Sequence, residues 1–422
     1  MTRKHFVFVM WEGGGSVTPE LALARQLRTR GHRITVLGDD SLRQEVQATG
    51  VSFVGYERAP NRPTKSKQHD PLRDWELDDP RDVLQAAVTR IMCGPALSVA
   101  QDLLALCERD AADVVVGCGF VIGAIIGAEK AGLPSVVLMP NVDFRPALGR
   151  PGFGPGLAPL SGLEGEERDN EIWAFARAAF QAGQPFLDKA RDELGLARTR
   201  HPWDEYDRTR RVLLLTSKHF EYPYTLPART LFAGPVLDDP SWATTDLNLN
   251  SDGSDEPLVL VTLGSAFQNQ LDAYRRIATA LREIEARPIV TLGNVFCADE
   301  LQPSSNVTIV ESAPHGKILA SASATVTHGG HGSVLKSLSF GVPLVCLPLG
   351  RDQLENAARV EWLGAGLKLD PTADPSTIAH AIARVLNERE FAVSAKRLGA
   401  AIREEIASGI AVRELEAVAE GN

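Results

Sequence analysis

Short apolar runs alternate with stretches of helical period along almost the whole chain. "HFVFVM" (5–10) precedes an amphipathic stretch from Pro19 to Arg30, then come "RITVLG", a helical stretch near "SLRQEVQATG", and "VSFVGY". Farther on, "ADVVVGCG", "GAIIGAEKAG" and "PSVVLMP" repeat the pattern. Val/Ile/Leu runs without polar alternation read as strands buried on both faces, and strands spaced by helices pair in parallel. The rhythm breaks near residue 225 and resumes at 258 with "LVLVTLGS", "RPIVTLGN", "VTIVES", "ATVTHGG" and "VPLVCLP". Residues 226–257 are rich in Pro, Asp, Asn and Ser and read as a linker. The expected fold class is therefore α/β: two open, parallel-sheet domains in tandem, residues 1–225 and 258–422, the second carrying the C-terminal helices. A length of 422 residues suits two such cores. In open sheets of this kind ligands bind beyond the carboxyl ends of the strands, here in a cleft between the domains.

Composition excludes several classes. A net charge of −10 without a basic stripe argues against nucleic acid as a partner. The five cysteines form no C-x-x-C pair and read as buried thiols of a reducing, cytoplasmic compartment. The basic, apolar start "MTRKHFVFVMWEGGG" reads as a first strand rather than a signal peptide, because its apolar part is too short and has no cleavage site. No run reaches the ~18 consecutive apolar residues of a membrane span. Two polar or Gly/Pro-rich stretches, 59–80 and 141–170, follow strands of the first domain and read as loops over the cleft.

The chemistry concentrates in "ATVTHGGHGSVLKSLSFGVPLVCLPLGRDQLENAARV" (324–360). A strand, a glycine turn and a helix beginning near Ser333 make an anion site, since free N–H groups and the positive end of the helix dipole converge there. His328 adds a donor that becomes cationic beside a phosphate. Gly264 and Ser265 form a second such turn, and Asp352 and Gln353 end the next strand, suited to sugar hydroxyls. "EGGGSVTPE" (12–20) is another glycine loop between strand and helix, with Thr18 expected to cap that helix and Pro19 to start it.

These motifs, together with "TPELALARQLRTRGH" and "ESAPHGKIL", resemble the GT-B-fold glycosyltransferases of family 1, in particular the bacterial natural-product type. The resemblance covers nearly the whole chain and is most specific in its C-terminal half. It implies two Rossmann-like domains, with acceptor in the first and a nucleotide-diphosphate sugar in the second. Pro314 and His315 would line the base pocket. His328, Gly329, Gly330, Gly332 and Ser333, with Gly264 and Ser265, would hold the diphosphate, and Asp352 and Gln353 the sugar. No metal or cofactor is implied; the donor is a co-substrate, and the reaction inverts the anomeric centre.

Three departures from that family's pattern carry information. Relatives that use UDP-sugars place a glutamate where Lys336 stands. A lysine accepts nothing from ribose hydroxyls, which favours a dTDP-sugar and hence a deoxysugar donor. Relatives place a general-base histidine where Ser16 stands, and a serine has no useful basicity near neutrality. Gly117, Cys118 and Gly119 stand where one branch carries a supporting aspartate. The base must come from elsewhere, or the acceptor must be acidic. Asp143, Glu12 and His69 are the candidates by position, with Ser16 orienting acceptor or sugar; His32 reads as structural. His69, Trp75 and Phe144 are expected at the acceptor, a planar or greasy aglycone. Rival readings are a catalytically degenerate nucleotide-binding helper of a glycosyltransferase, a sugar-nucleotide epimerase, and an NAD-dependent oxidoreductase using Gly13, Gly15 and Asp39/Asp40.

Overall fold

A computed structural model describes residues 2–247, 256–293, 295–301 and 307–421; the linker residues 248–255 lie outside them. The first sheet holds β1 (His5–Val9), β2 (Arg33–Gly38), β3 (Ser52–Gly55), β4 (Val114–Cys118), β5 (Ser135–Met139), β6 (Arg211–Leu214) and β7 (Thr230–Phe232). Their order is β3-β2-β1-β4-β5-β6-β7, and every pairing is parallel. The second sheet holds β8 (Leu258–Thr262), β9 (Arg287–Thr291), β10 (Thr308–Val310), β11 (Ala322–Thr327), β12 (Leu344–Cys346) and β13 (Gly366–Lys368). It runs β10-β9-β8-β11-β12-β13, again wholly parallel. Strands such as β1, β4, β5 and β8 are buried at every residue, as their unbroken apolar sequences require.

Strand order reverses between β1 and β4 in one sheet and between β8 and β11 in the other. Loops leaving these strands part to opposite faces, so a crevice opens at each reversal. The "EGGGS" loop follows β1. Gly264-Ser265 follows β8 and His328-Gly329-Gly330 follows β11. The sequence motifs therefore sit at the two switch points.

Three details differ from the sequence reading. β7 lies inside 226–257, so the linker's first residues complete the first sheet. The first helix is Val17–Thr29, with Ser16 at the N-cap position and no side-chain cap bond; Thr18 and Pro19 lie within its first turn. The last helix, Ile410–Ala419, leaves the second domain. Ala411, Val412, Leu415 and Val418 pack into the first domain's core beside Leu23 and Leu27, and Glu416 accepts from His32 at 3.2 Å. An apolar stripe on that helix needs a partner, and the first helix offers the complementary face. The stretch Pro80–Arg109 is long and apolar enough to cross a membrane by composition. Its helical course is interrupted between Met92 and Ala96, and Val88, Met92 and Ala96 are buried in the first domain's core.

Candidate active site

A single cleft of about 2060 Å³ runs between the two sheets and is lined from both domains. Single-ligand pockets commonly measure ~300–1,000 Å³, so this cleft has room for two substrates side by side.

On the second domain's side, Gly264, Ser265, His328, Gly330, Gly332, Ser333, His315, Asp352 and Gln353 all line the cleft. The helix His331–Ser339 starts at the floor, its first N–H groups free of intrahelical partners. His328 lies flat between two glycines: a Cβ on Gly264 or Gly330 would stand 2.9 or 2.6 Å from its Nε2. Only glycine allows the ring that place, and Gly264 also has φ of +88°. Burial first, then the Arg351 charge, press the His328 pKa down to about 4. It is thus a neutral donor until an anion arrives, rather than a standing cation.

Gly329 and Pro314 do not line the cleft. Gly329 backs onto the Gln353 carbonyl, and Pro314 is the N-cap of the short helix His315–Leu319. His315 Nε2 pairs with Thr291 Oγ1 at 3.0 Å, and burial, then Lys336, lowers its pKa to about 4. A neutral imidazole suits stacking on a base. Gln353 is more constrained than its expected role suggests. Its Oε1 accepts from the Leu349 and Gly350 amides at 2.7 and 3.1 Å, and its Nε2 donates to Gln268 at 2.8 Å. Asp352 accepts from Asn356 at 3.1 Å.

Lys336 is not solvated: its side chain is 11% exposed and pairs with Asp239 from the linker. Asp239 also accepts from the His315 and Gly316 amides at 2.9 and 3.3 Å. Sequence reasoning missed Asp239, whose only signal was a carboxylate pair inside a segment read as spacer.

On the first domain's side, Ser16 lines the cleft with a buried hydroxyl that has no partner. Gly13 is required beside it, because a Cβ there would stand 2.9 Å from Ser16 Oγ and 2.6 Å from the Trp11 ring. Glu12 lines the cleft but is committed to structure. Its backbone N–H donates to Asp39 at 2.7 Å, its carboxylate accepts from the Gly14 amide at 3.0 Å, and Lys65 stands 3.2 Å from its Oε2. Asp39, the buried residue that follows β2, is pushed up to about 6 by burial, against the opposing Arg62 and Glu12 amides.

Two candidate residues are displaced from the roles expected of them. Asp143 is 1% exposed, outside the cleft lining, and held by Arg145 at 3.0 and 2.9 Å, with Arg150 at 3.9 Å. Burial alone would raise its pKa, but the two guanidiniums outweigh it and hold the carboxyl below its usual value. Such a group anchors the 141–170 loop and is a poor base. His69 is exposed, bonds to Thr64 at 2.8 Å, and does not reach the cleft. Phe144 does line it, within an aromatic cluster that includes Phe120 (5.6 Å) and a stacked Phe180 (5.5 Å). Trp75 lines it too, edge-on to Phe267 of the second domain at 4.9 Å.

Two parallel-sheet α/β domains and a cleft between facing switch points, with a glycine-flanked helix start on the second domain's wall, define the GT-B architecture. Comparison with known proteins agrees. The model "Erythromycin biosynthesis protein CIII-like, C-terminal domain" matches residues 275–417. 4'-Demethylrebeccamycin synthase of Lentzea aerocolonigenes is 30% identical over 97% of each chain. Among solved structures, the calicheamicin glycosyltransferase superposes with TM-score 0.73 at 24% identity over 99% of this chain and 98% of its own. A spinosyn rhamnosyltransferase complexed with thymidine diphosphate superposes with TM-score 0.71 at 17% identity, covering 98% and 100%. The chain belongs to the family 1 glycosyltransferases of the bacterial natural-product type and is a glycosyltransferase.

Proposed function

We propose that this enzyme moves a sugar, a deoxysugar by preference, from a dTDP-sugar to an aromatic natural-product aglycone, with inversion and without metal. The observation that carries the reading is the convergence on one cleft wall of a free helix start, His328 and the glycine turns that admit it. These are donors preorganised for a leaving diphosphate. The acceptor atom attacks the anomeric carbon from the opposite side; the bond to the diphosphate breaks, and its electron pair stays on the departing oxygen. As charge grows there, the helix N–H groups and His328 stabilise it.

The preference for dTDP over UDP rests on Lys336 and Asp239. The lysine accepts nothing, and Asp239 already takes three donors, which leaves little capacity for a 2′-hydroxyl. The spinosyn enzyme's complex with thymidine diphosphate is in keeping with that choice. The aromatic acceptor rests on Phe120, Phe144, Phe153 and Trp75 along the first domain's wall. With Ser16 unable to act as base, and Glu12 and Asp143 committed to ion pairs, we favour an acceptor whose O–H or N–H is itself acidic. The Lentzea aerocolonigenes relative is named 4'-demethylrebeccamycin synthase. All five cysteines are free thiols, as a cytoplasmic setting allows.

The test is transfer from a dTDP-6-deoxyhexose, dTDP-glucose and UDP-glucose to a panel of phenolic and indolic aglycones, followed by mass shift of the acceptor. A sugar added from a dTDP donor, from the dTDP-deoxyhexose in preference to dTDP-glucose, and lost in His328→Ala and Asp352→Ala, supports the reading. Nucleotide binding without turnover across the panel would favour the degenerate helper instead.

A further inference from the structure

The 59–80 segment of the first domain crosses the cleft and grips the second. Asp74 accepts two hydrogen bonds from Arg351, from Nε at 2.7 Å and from Nη2 at 3.1 Å. One residue on, Trp75 meets the edge of Phe267 at 4.9 Å, and Lys67 Nζ lies 4.5 Å over the same ring. The ion pair is sheltered, with side chains 9% and 24% exposed for Asp74 and Arg351. A forked pair fixes the plane of a guanidinium as well as its position.

Arg351 is also one of the few non-glycine residues in the left-handed region, with φ of 55°. Such a conformation persists where the surroundings over-determine it. Asp74 supplies that constraint from the opposite domain. Arg351 immediately precedes Asp352 and Gln353, and the Gln353 side chain closes the 349–353 loop on itself through the Leu349 and Gly350 amides. Whatever holds Arg351 therefore holds the loop. Its charge also reaches His328, whose pKa it helps to lower.

We propose that Asp74 is a positioning residue for the donor: through Arg351 it sets the loop bearing Asp352 and Gln353, so the sugar half of the donor site is complete only while the acceptor-side segment lies across the cleft. The proposal rests on the cleft being a nucleotide-sugar site. By linkage the effect is reciprocal, and a bound donor strengthens the hold on the segment.

Calorimetry with dTDP and dTDP-glucose on the full chain tests this, for wild type, Asp74→Ala, Asp74→Glu, Arg351→Ala, Arg351→Lys and the Asp74→Ala/Arg351→Ala double variant, with thermal melts as a check on folding. Removing one partner of a sheltered charge pair should weaken dTDP-glucose binding roughly tenfold and dTDP binding less. The double variant should lose no more than either single, Asp74→Glu should recover most of the affinity, and Arg351→Lys should not, because lysine lacks the fork. In parallel, dTDP-glucose should slow tryptic cleavage after Lys67 and Arg73 in wild type but not in Asp74→Ala. Unchanged affinity in folded single variants, or losses that simply add, overturns the proposal while leaving the donor site standing. A wild type that binds neither nucleotide overturns the donor site and the proposal with it.

Discussion

His328 is held neutral at pH 7 by burial, with a pKa near 4. A bound diphosphate favours the protonated ring, so the complex binds a proton more tightly than the free protein does. Nucleotide affinity should therefore rise as pH falls from 7 towards 5. Calorimetry of dTDP binding in two buffers of different ionisation enthalpy should show proton uptake, and His328→Asn should abolish it. Gly330→Ala tests the ring's seat. Its methyl would stand 2.6 Å from His328 Nε2, so the ring must leave, and dTDP affinity should fall at least tenfold with the fold retained. Ser16 offers the converse test. Its hydroxyl is buried and unpaired, so Ser16→Ala should leave thermal stability and dTDP affinity unchanged while lowering turnover. At this scale the sequence led to residues that the structure does place on the cleft wall, such as His328 between glycines. It misplaced Asp143 and His69. Whether a carboxylate is a base or an anchor depends on Arg145 and Arg150, and their approach is a matter of tertiary structure.

Elements were legible where burial is two-sided. The apolar runs of β1, β4, β5 and β8 leave no polar face to confuse, and the helices between them follow from the crossover requirement. The short β7, set among prolines and glycines, had no local signal; the C-terminal helices were expected, but not that the last one crosses back to the first domain. Their identity comes from what they pack against. Leu415 is fully buried in the first domain's core, so Leu415→Ala should cost about 2–5 kcal/mol, and the loss should appear in the first domain's transition in denaturant. The first helix carries a pH dependence of its own. Burial raises the Glu20 pKa from 4.5 to about 8. The native state thus keeps a proton the unfolded chain releases, and wild-type stability drops as pH climbs from 4.5 to 8. Glu20→Gln removes that penalty, so its melting-temperature advantage over wild type should grow between pH 5 and pH 8.

At the scale of the whole molecule, the two sheets are tied across the cleft by more than the Asp74–Arg351 pair. Glu355 accepts from the Gly154 and Gly156 amides at 2.8 and 2.9 Å, and Arg359 bridges Glu355 and Glu221 within 3.0 Å. Both long loops of the first domain therefore end on the helix and loop that carry Asp352. The sequence identified those loops by length and composition, but which residues they grip depends on how the domains face each other. Of the two crevices, the one with the free helix start is the donor side of the proposed function and the one walled by aromatics its acceptor side. A nucleotide held on the donor side is what the proposed function requires above all. Calorimetric titration of dTDP, UDP and NAD into the purified protein without added metal is the most direct test. Binding of dTDP, tighter than UDP and with no response to NAD, is the expected result. Binding of NAD alone, or of no nucleotide at all, would contradict it.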